Sequence, residues 1–175
     1  MQIVICPLCN STATLFCEKP KHLFYKCNTC DGIFRPKHTF LTAEEEKEHY
    51  EKHNNDVFDE RYQAFVSPIV NAVLQDFTSE AKGLDFGSGT GPVIAKVLTD
   101  KGFQVQNYDL FFANELSLLN QKYDYVSCCE VMEHFHHPYQ EFELLKSLLL
   151  PKGKVYCKAE VYKNQKPFEN WYYKD

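Results

Sequence analysis

The chain has 175 residues, a formal net charge of -5 and 44% hydrophobic residues, enough apolar material for a packed core. No apolar run approaches the roughly 18 residues that a membrane span requires, so we expect no transmembrane segment. Residues 1–6 show no basic stretch followed by a long apolar one, so we expect no secretory signal and a cytoplasmic protein. In a reducing compartment, the eight cysteines are expected to be free thiols, metal ligands or catalytic groups.

Charge and cysteine are distributed unevenly along the chain. Residues 1–40 carry five Lys and Arg against two acidic residues and hold five of the eight cysteines, whereas residues 41–175 carry fourteen against twenty-two. We therefore predict a small module at 1–40, a helical connector or lid at 41–79 and a larger domain at 80–175. The acidic balance disfavours a protein that coats nucleic acid without excluding one.

Two Cys-x-x-Cys pairs dominate the small module. Cys6 and Cys9 are separated from Cys27 and Cys30 by 17 residues, a spacing typical of a tetrahedral zinc site. The segments on either side of the second pair resemble a strand and its return, so the prediction is a zinc ribbon. Two cysteine pairs without metal are the alternative. Four thiolates leave no open coordination position, so we expect the ion to be structural.

The predicted connector contains helices over 43–53, 58–66 and 68–76. The last is expected to begin at Ser67-Pro68, an N-cap residue followed by a proline suited to the first helical position. His49 and His53 are spaced i, i+4, as in some metal sites, but no third ligand is evident and a packing or solvated role is the preferred interpretation.

The most informative segment follows the connector. A short apolar strand ends at Asp85-Phe86, a glycine-rich turn spans 87–91, and a helix is predicted from Pro92. Glycine permits positive φ and close approach of a ligand, and a helix amino terminus offers unpaired N–H groups. A second strand over 103–108 ends at Asp109, 22 residues after Gly87, where an acid typically holds a ribose diol. The pattern predicts a nucleotide-cofactor site.

The order Gly-x-Gly-x-Gly after Asp85 resembles the first motif of the class I S-adenosylmethionine-dependent methyltransferases, rather than the nicotinamide fingerprint Gly-x-Gly-x-x-Gly. Residues 123–135 resemble that family's fourth strand and the segment after it, and residues 151–157 its turn into strand five. The resemblance implies an α/β, Rossmann-like doubly wound parallel sheet in the order 3-2-1-4-5, here with a small N-terminal zinc ribbon.

Two departures from the family pattern modify this expectation. Only 13 residues separate Asp109 from Tyr123, so the third strand and its helix are expected to be short. The chain also ends soon after strand five, so we expect a sheet whose C-terminal strands are missing.

The resemblance also implies site residues. The cofactor-binding residues lie in the glycine turn, after strand two and after strand four: Asp85, Phe86, Gly87, Ser88, Gly89, Gly91, Asp109, Leu110, Cys129 and Glu130. Methyl transfer from a sulfonium requires alignment, and it requires a base only where the acceptor must lose a proton. The candidates for that catalytic base are Glu130, Glu133 and His134, with His53 and Tyr50 as further candidates.

The expected function is methyl transfer from S-adenosylmethionine to a small-molecule acceptor, in a protein that also binds Zn²⁺. A non-catalytic module that binds the cofactor or a partner is one alternative. An RNA methyltransferase guided by the ribbon is another, disfavoured by the net charge and by the lack of an aromatic patch rich in Arg and Lys.

Overall fold

The computed structural model of the chain describes residues 3–19, 22–52, 55–164 and 166–172. Contacts among the Cα atoms divide the chain into two units. The first is a ribbon unit drawn from 1–42, 135–141 and 160–175, and the second is an α/β unit drawn from 43–134 and 142–159. No helix in the described part of the chain is both long enough and apolar enough to cross a membrane.

The ribbon unit is built on an antiparallel sheet whose four strands follow chain order. They are β1 (Val4–Ile5), β2 (Thr12–Lys19), β3 (His22–Cys27) and β4 (Ile33–Phe34). β3 and β4 correspond to the strand and return predicted between and after the cysteine pairs. The connection between β1 and β2 carries one cysteine pair, and the end of β3 with the following turn carries the other, at Cys27 and Cys30. The antiparallel pairing therefore brings two tight turns to one end of the sheet.

The segment 160–172 adds an aromatic cluster to this unit. The ring of Phe168 is buried, with its centroid 4.9 Å from that of Phe24 and 5.1 Å from that of Phe16. Tyr162 and Trp171 pack on the same ring at 5.1 and 5.8 Å. A small sheet has little core of its own, and these side chains supply part of it.

The α/β unit begins with two helices, α1 (Ala43–Glu51) and α2 (Glu60–Asp76). A parallel sheet follows, with strand order β6-β5-β7-β8. Its strands are β5 (Lys82–Phe86), β6 (Gln104–Tyr108), β7 (Tyr123–Cys129) and β8 (Leu149–Lys158). Two more helices, α3 (Val93–Asp100) after β5 and α4 (Pro138–Ser147) before β8, are part of the crossover connections. An α/β fold with a parallel sheet is thus confirmed.

The predicted third strand is wrong. Residues 110–122 contribute an isolated bridge between Asp109 and Ala113 and a 3-10 helix over Leu116–Asn120, but no strand of the sheet. The Asp109 carboxylate accepts hydrogen bonds from the backbone N–H groups of Phe111 and Phe112, at 2.8 and 3.1 Å, and curls the chain back directly after β6. The predicted order 3-2-1-4-5 therefore lacks its first member.

The predicted break between two helices at residue 67 is also wrong, because α2 runs unbroken from Glu60 to Asp76. Pro68 has no N–H to donate to the carbonyl of Ala64. The hydroxyl of Ser67 donates to that carbonyl instead, at 2.7 Å. His53, one of the predicted metal or base candidates, lies outside the described residues.

The core of the α/β unit lies between α2, α3 and the sheet. Its buried members share one apolar face on each element: Val66, Ile69, Val70, Val73, Ala81, Val93, Ile94, Leu98, Phe103 and Tyr125. Gly83 on β5 faces the ring of Tyr125, and a Cβ atom there would lie only 2.1 Å from Tyr125 Cζ. This packing fixes α2 and α3 on the face of the sheet that carries the candidate site.

Candidate functional site

The glycine loop, residues 87–91, connects β5 to α3 at the carboxyl end of the sheet. Gly87 and Gly89 have φ angles of +76° and +63°, a region that side-chain-bearing residues rarely adopt. The backbone N–H groups of Gly87 and Ser88 donate to the carbonyl of Tyr108 on β6, at 2.8 and 3.2 Å. The loop is therefore anchored to the neighbouring strand.

Gly91 is required for a different reason: the segment between α1 and α2 passes so close to it that no side chain would fit. A Cβ atom on Gly91 would lie 1.9 Å from the carbonyl oxygen of Asn55. The role of Asn55 is not predictable from the sequence, because a contact across 36 residues leaves no local pattern. The approach of Asn55 encloses the glycine loop from the side of α1 and α2.

Asp85, at the penultimate position of β5, is buried and holds three elements together. Its Oδ1 atom accepts a hydrogen bond from Ser127 Oγ on β7 at 2.7 Å, and the backbone N–H of Ala95 in α3 also donates to the carboxylate. Burial raises the pKa of the Asp85 carboxyl to about 6, against the lowering effect of these two hydrogen bonds. The Asp85 side chain thus orients the start of α3.

Asp109 holds the glycine loop from the end of β6. Its Oδ2 atom accepts the N–H of Gly89 at 2.9 Å, while Oδ1 accepts the N–H groups of Phe111 and Phe112. A carboxylate oxygen has two acceptor positions, so donors among the described residues use both positions of Oδ1 and one of Oδ2. The side chain lies at 9% exposure, at the edge of the loop. Asp109 can accept one further hydrogen bond without rearrangement.

A small pocket lies between the glycine loop and the first turns of α2. Its polar and aromatic lining includes Tyr62, Asp85, Gly87, Ser88, Gly91 and Cys129. Five residues assigned to the cofactor from sequence are not part of this lining: Phe86, Gly89, Asp109, Leu110 and Glu130. Of these, Phe86 is buried with its ring 5.2 Å from that of Tyr108, and Leu110 is 58% exposed. The structure therefore brings together the glycine loop, Asp85 and Cys129, but not every residue predicted.

Tyr62 lies in a helix whose sequence predicts only a connector, so the sequence gives no indication that this residue lines the pocket. Burial, with smaller contributions from the neighbouring Cys129, Asp85 and Glu130, raises the pKa of its hydroxyl to about 12. A tyrosine on an amphipathic helix carries no sequence signal that separates a pocket residue from a core residue. Only the packing of α2 over the carboxyl end of the sheet identifies it.

The three predicted base candidates follow β7. Glu130 has a φ angle of +56°, its N–H donates to the carbonyl of Lys158 at 2.7 Å, and its Oε1 lies 4.0 Å from Lys158 Nζ. Glu133 and His134 belong to a 3-10 helix over Met132–His134, with Glu133 Oε1 3.9 Å from His134 Nε2. All three lie on one segment at the carboxyl end of the sheet.

Tyr50 of α1 joins this group. Its ring lies edge-on to that of His134, with centroids 5.7 Å apart, and 6.2 Å from that of Phe111. Burial raises the pKa of the Tyr50 hydroxyl to about 12, and the carboxylates of Glu46, Glu133 and Asp109 add to the shift. The arrangement places a phenol, an imidazole and carboxylates near one another beside the glycine loop.

The four cysteines of the ribbon unit form a separate cluster. The Sγ atoms of Cys6, Cys9, Cys27 and Cys30 all lie within 4.8 Å of one another. Cys6 Sγ lies 3.7 Å from Cys30 Sγ, and Cys9 Sγ lies 3.4 Å from Cys27 Sγ. The backbone N–H groups of Thr29 and Cys30 point at Cys27 Sγ, at 3.4 and 3.5 Å. Four thiols converge on one point.

Comparison with known protein families gives a match. A family model described as "Methyltransferase domain" matches residues 58–175, which is 118 of the 175 residues. The matched range includes α2, the glycine loop, Asp109 and the segment after β7, and it leaves out the four cysteines and Tyr50. No curated protein matches the chain.

Proposed function

We propose, because this chain belongs to the methyltransferase-domain family, that it transfers a methyl group from S-adenosylmethionine to a small-molecule acceptor. The observation that carries the proposal is the glycine loop. Positive φ angles at Gly87 and Gly89, together with the tie from Gly89 to Asp109, build a fixed cradle at the carboxyl end of β5. Ligands of open parallel sheets bind at this edge.

The residues of the cradle fit an adenosyl cofactor. The remaining acceptor position of Asp109 Oδ2 suits one ribose hydroxyl, with Oδ1 retained for the turn at 111–112. Gly89 has an open side, where the atom nearest to an added Cβ would be 3.9 Å away. This space allows the ligand to approach the backbone of the loop. Cys129 and Glu130 line the side on which the family transfers the methyl group.

S-adenosylmethionine supplies a methyl group on a sulfonium, which is already activated for displacement. The chain's contribution is therefore alignment and exclusion of water, and where the acceptor must lose a proton, a base. We assign that base to the segment 130–134, with Glu133 and His134 adjacent to the desolvated phenol of Tyr50. A small acceptor is favoured over a nucleic acid, because the chain is acidic overall whereas surfaces that bind the phosphates of nucleic acids are basic.

Two glycine substitutions test the site against a matched control. Gly89 and Gly102 have φ angles of +63° and +88°, and a Cβ on either would have its nearest neighbour at 3.9 or 3.8 Å. Changing each to Ala therefore imposes similar backbone strain, inside the proposed site in one case and at the far end of α3 in the other. By calorimetric titration, Gly89→Ala is expected to weaken binding of S-adenosylhomocysteine at least about tenfold.

In the same titration, Gly102→Ala should bind with the affinity of the unmodified protein once the folded fraction is taken into account. Equal weakening in both variants would assign the effect to stability alone. Tight binding of NAD, or no binding of S-adenosylhomocysteine, by the unmodified protein would refute the choice of cofactor.

We further propose that the cysteine cluster holds one structural Zn²⁺ ion. A tetrahedral ion with Zn–S bonds of about 2.3 Å separates its sulfur atoms by about 3.8 Å, close to the Sγ distances of 3.7 and 3.4 Å. The N–H groups directed at Cys27 Sγ fix the position of that sulfur in its turn. The ion would link the two turns of a unit with little apolar core. Elemental analysis of protein purified without added metal is expected to give about one equivalent of zinc; a value near zero in folded protein would exclude the site.

A further inference from the structure

Tyr62 lies at the proposed cofactor pocket and is neither part of the glycine loop nor one of the candidate bases. It lies in the first turn of α2 and lines the pocket together with Asp85, Gly87 and Cys129. The side chain is half-buried. Among the described residues, the pocket lining includes the carboxyl of Asp85 and no Lys, Arg or His side chain. The ring of Tyr62 therefore borders a pocket that contains no cationic side chain of its own.

The aromatic ring next to Tyr62, that of Phe65, already has a cation over its face. Phe65, one turn along α2, stacks on Tyr62 with centroids 5.8 Å apart and an interplanar angle of 10°. Lys158 Nζ lies 3.1 Å from the centroid of Phe65 and 4.0 Å from Glu130 Oε1. In the described part of the chain, Lys158 thus uses the ring of Phe65 and the carboxylate of Glu130, and no side-chain cation lies over the ring of Tyr62.

We propose that the ring of Tyr62 receives the sulfonium of S-adenosylmethionine and gives the site a preference for this cofactor over its product. The inference rests on the proposed function. A cation within about 6 Å of an aromatic face is attracted by the negative face of the ring, and the attraction grows when water is excluded. S-adenosylhomocysteine has the same adenosyl and amino-acid parts but an uncharged thioether, so it loses this interaction. Tyr62 thereby strengthens the binding of S-adenosylmethionine relative to that of S-adenosylhomocysteine.

The ratio of two dissociation constants isolates this role. Damage to the pocket weakens binding of both ligands equally, so it cancels when the dissociation constant for S-adenosylmethionine is divided by that for S-adenosylhomocysteine. Tyr62→Leu removes the ring and is expected to raise this ratio about two- to thirty-fold. Tyr62→Phe keeps an aromatic face and should hold the ratio within about twofold. Phe65→Leu is the control, a loss of the adjacent ring that should leave the ratio unchanged.

The outcomes separate this inference from the proposed function. If the unmodified protein binds both ligands but Tyr62→Leu leaves the ratio unchanged, Tyr62 is only a packing residue and the cofactor assignment stands. If the unmodified protein binds neither ligand, both proposals are wrong. Should Tyr62→Leu fail to fold, Tyr62→Met retains much of the side-chain volume without a π face, and the same shift in the ratio is expected of it.

Discussion

Gly83 is the position in β5 where the packing of the α/β unit leaves least room for a side chain. A Cβ atom would lie 2.1 Å from Cζ and 2.2 Å from Cε2 of the fully buried Tyr125. Gly83→Ala is therefore expected to lower the free energy of unfolding by about 1–3 kcal/mol, because the ring must move within a close-packed core. Tyr125→Leu removes both clashing atoms. In that background Gly83→Ala should cost measurably less in urea unfolding, whereas additive costs would contradict the steric explanation.

The raised pKa of the Asp85 carboxyl predicts that the free energy of unfolding depends on pH. Burial raises its pKa from 3.8 to about 6, so the folded state binds a proton that the unfolded state releases. The stability that Asp85 contributes is therefore complete below about pH 4 and is lost as pH rises through about 6. Relative to Asp85→Asn, the free energy of unfolding of the unmodified protein should fall by on the order of 3 kcal/mol across this interval.

Asp76 provides the control of opposite sign for this measurement. Its pKa is lowered by hydrogen bonds from Lys154 and Tyr156, so the stability that it contributes is present at neutral pH and is lost on acidification. Urea unfolding of Asp85→Asn, Asp76→Asn and the unmodified protein at several pH values compares the two trends. A parallel pH profile for Asp85→Asn and the unmodified protein would contradict the raised pKa.

At the scale of elements, α2 shows how tertiary packing overrides a local signal. Ser67-Pro68 has the pattern of a helix start, yet the buried stripe of Val66, Ile69, Val70 and Val73 continues through it. Breaking the helix would expose this stripe, and one hydroxyl replaces the lost backbone hydrogen bond. The local pattern correctly identifies a position without a backbone N–H donor at Pro68. It contains no information on the apolar face that the continuous helix buries.

Substitutions at this position are expected to interact. Pro68→Ala restores the backbone donor to the Ala64 carbonyl and should raise the free energy of unfolding by about 1–2 kcal/mol, part of the usual cost of an internal proline. Ser67→Ala in the unmodified chain should lower it by about 0.5–1 kcal/mol, because the carbonyl loses its partner. In the Pro68→Ala background, Ser67→Ala should have almost no effect. Equal costs in both backgrounds would show that the hydroxyl does not substitute for the N–H.

Some elements were predictable because their signals are local, and others were not. The βα turn at 87–91 and the two cysteine pairs are set by residue type and spacing within a few positions, so the sequence predicts where they lie. The turn after β6 depends on two hydrogen bonds from the backbone to Asp109, and a third ties the same carboxylate to Gly89. The sequence identifies Asp109 as a ligand-binding acid but does not predict that its oxygens fold the chain back. Asn55 and Tyr62 reach the site only through the placement of α1 and α2.

At the scale of the whole chain, the two units carry different chemistry. The α/β unit contains the glycine loop and the segment after β7, while the ribbon unit contains the cysteine cluster. The described residues of 160–172, which follow the last strand of the sheet, pack with the ribbon strands through Phe168. The ribbon unit therefore combines both ends of the described chain, and its stability depends on an aromatic cluster as well as on the proposed ion.

Trp171 makes the stability of the ribbon unit separately measurable. It is the single tryptophan of the chain, it packs against Tyr162 and Phe168, and its Nε1 donates to Glu160 at 2.9 Å. Its fluorescence therefore reports on this unit, whereas far-ultraviolet ellipticity is dominated by the helices of the α/β unit. If the cysteine cluster holds zinc, a chelator should lower the midpoint of the fluorescence transition by more than about 10 °C, because metal binding and folding are coupled.

Two cysteine variants decide whether that shift comes from the cluster. Cys30→Ser removes one of the four converging thiols and should lower the fluorescence midpoint as the chelator does, after which the chelator should have no further effect. Cys17→Ser changes a cysteine of β2 that is not part of the cluster, and should leave both the midpoint and its response to the chelator unchanged. A chelator shift that persists in Cys30→Ser would mean that metal binds elsewhere, and the ribbon would then be held by its aromatic cluster and its strand pairing alone.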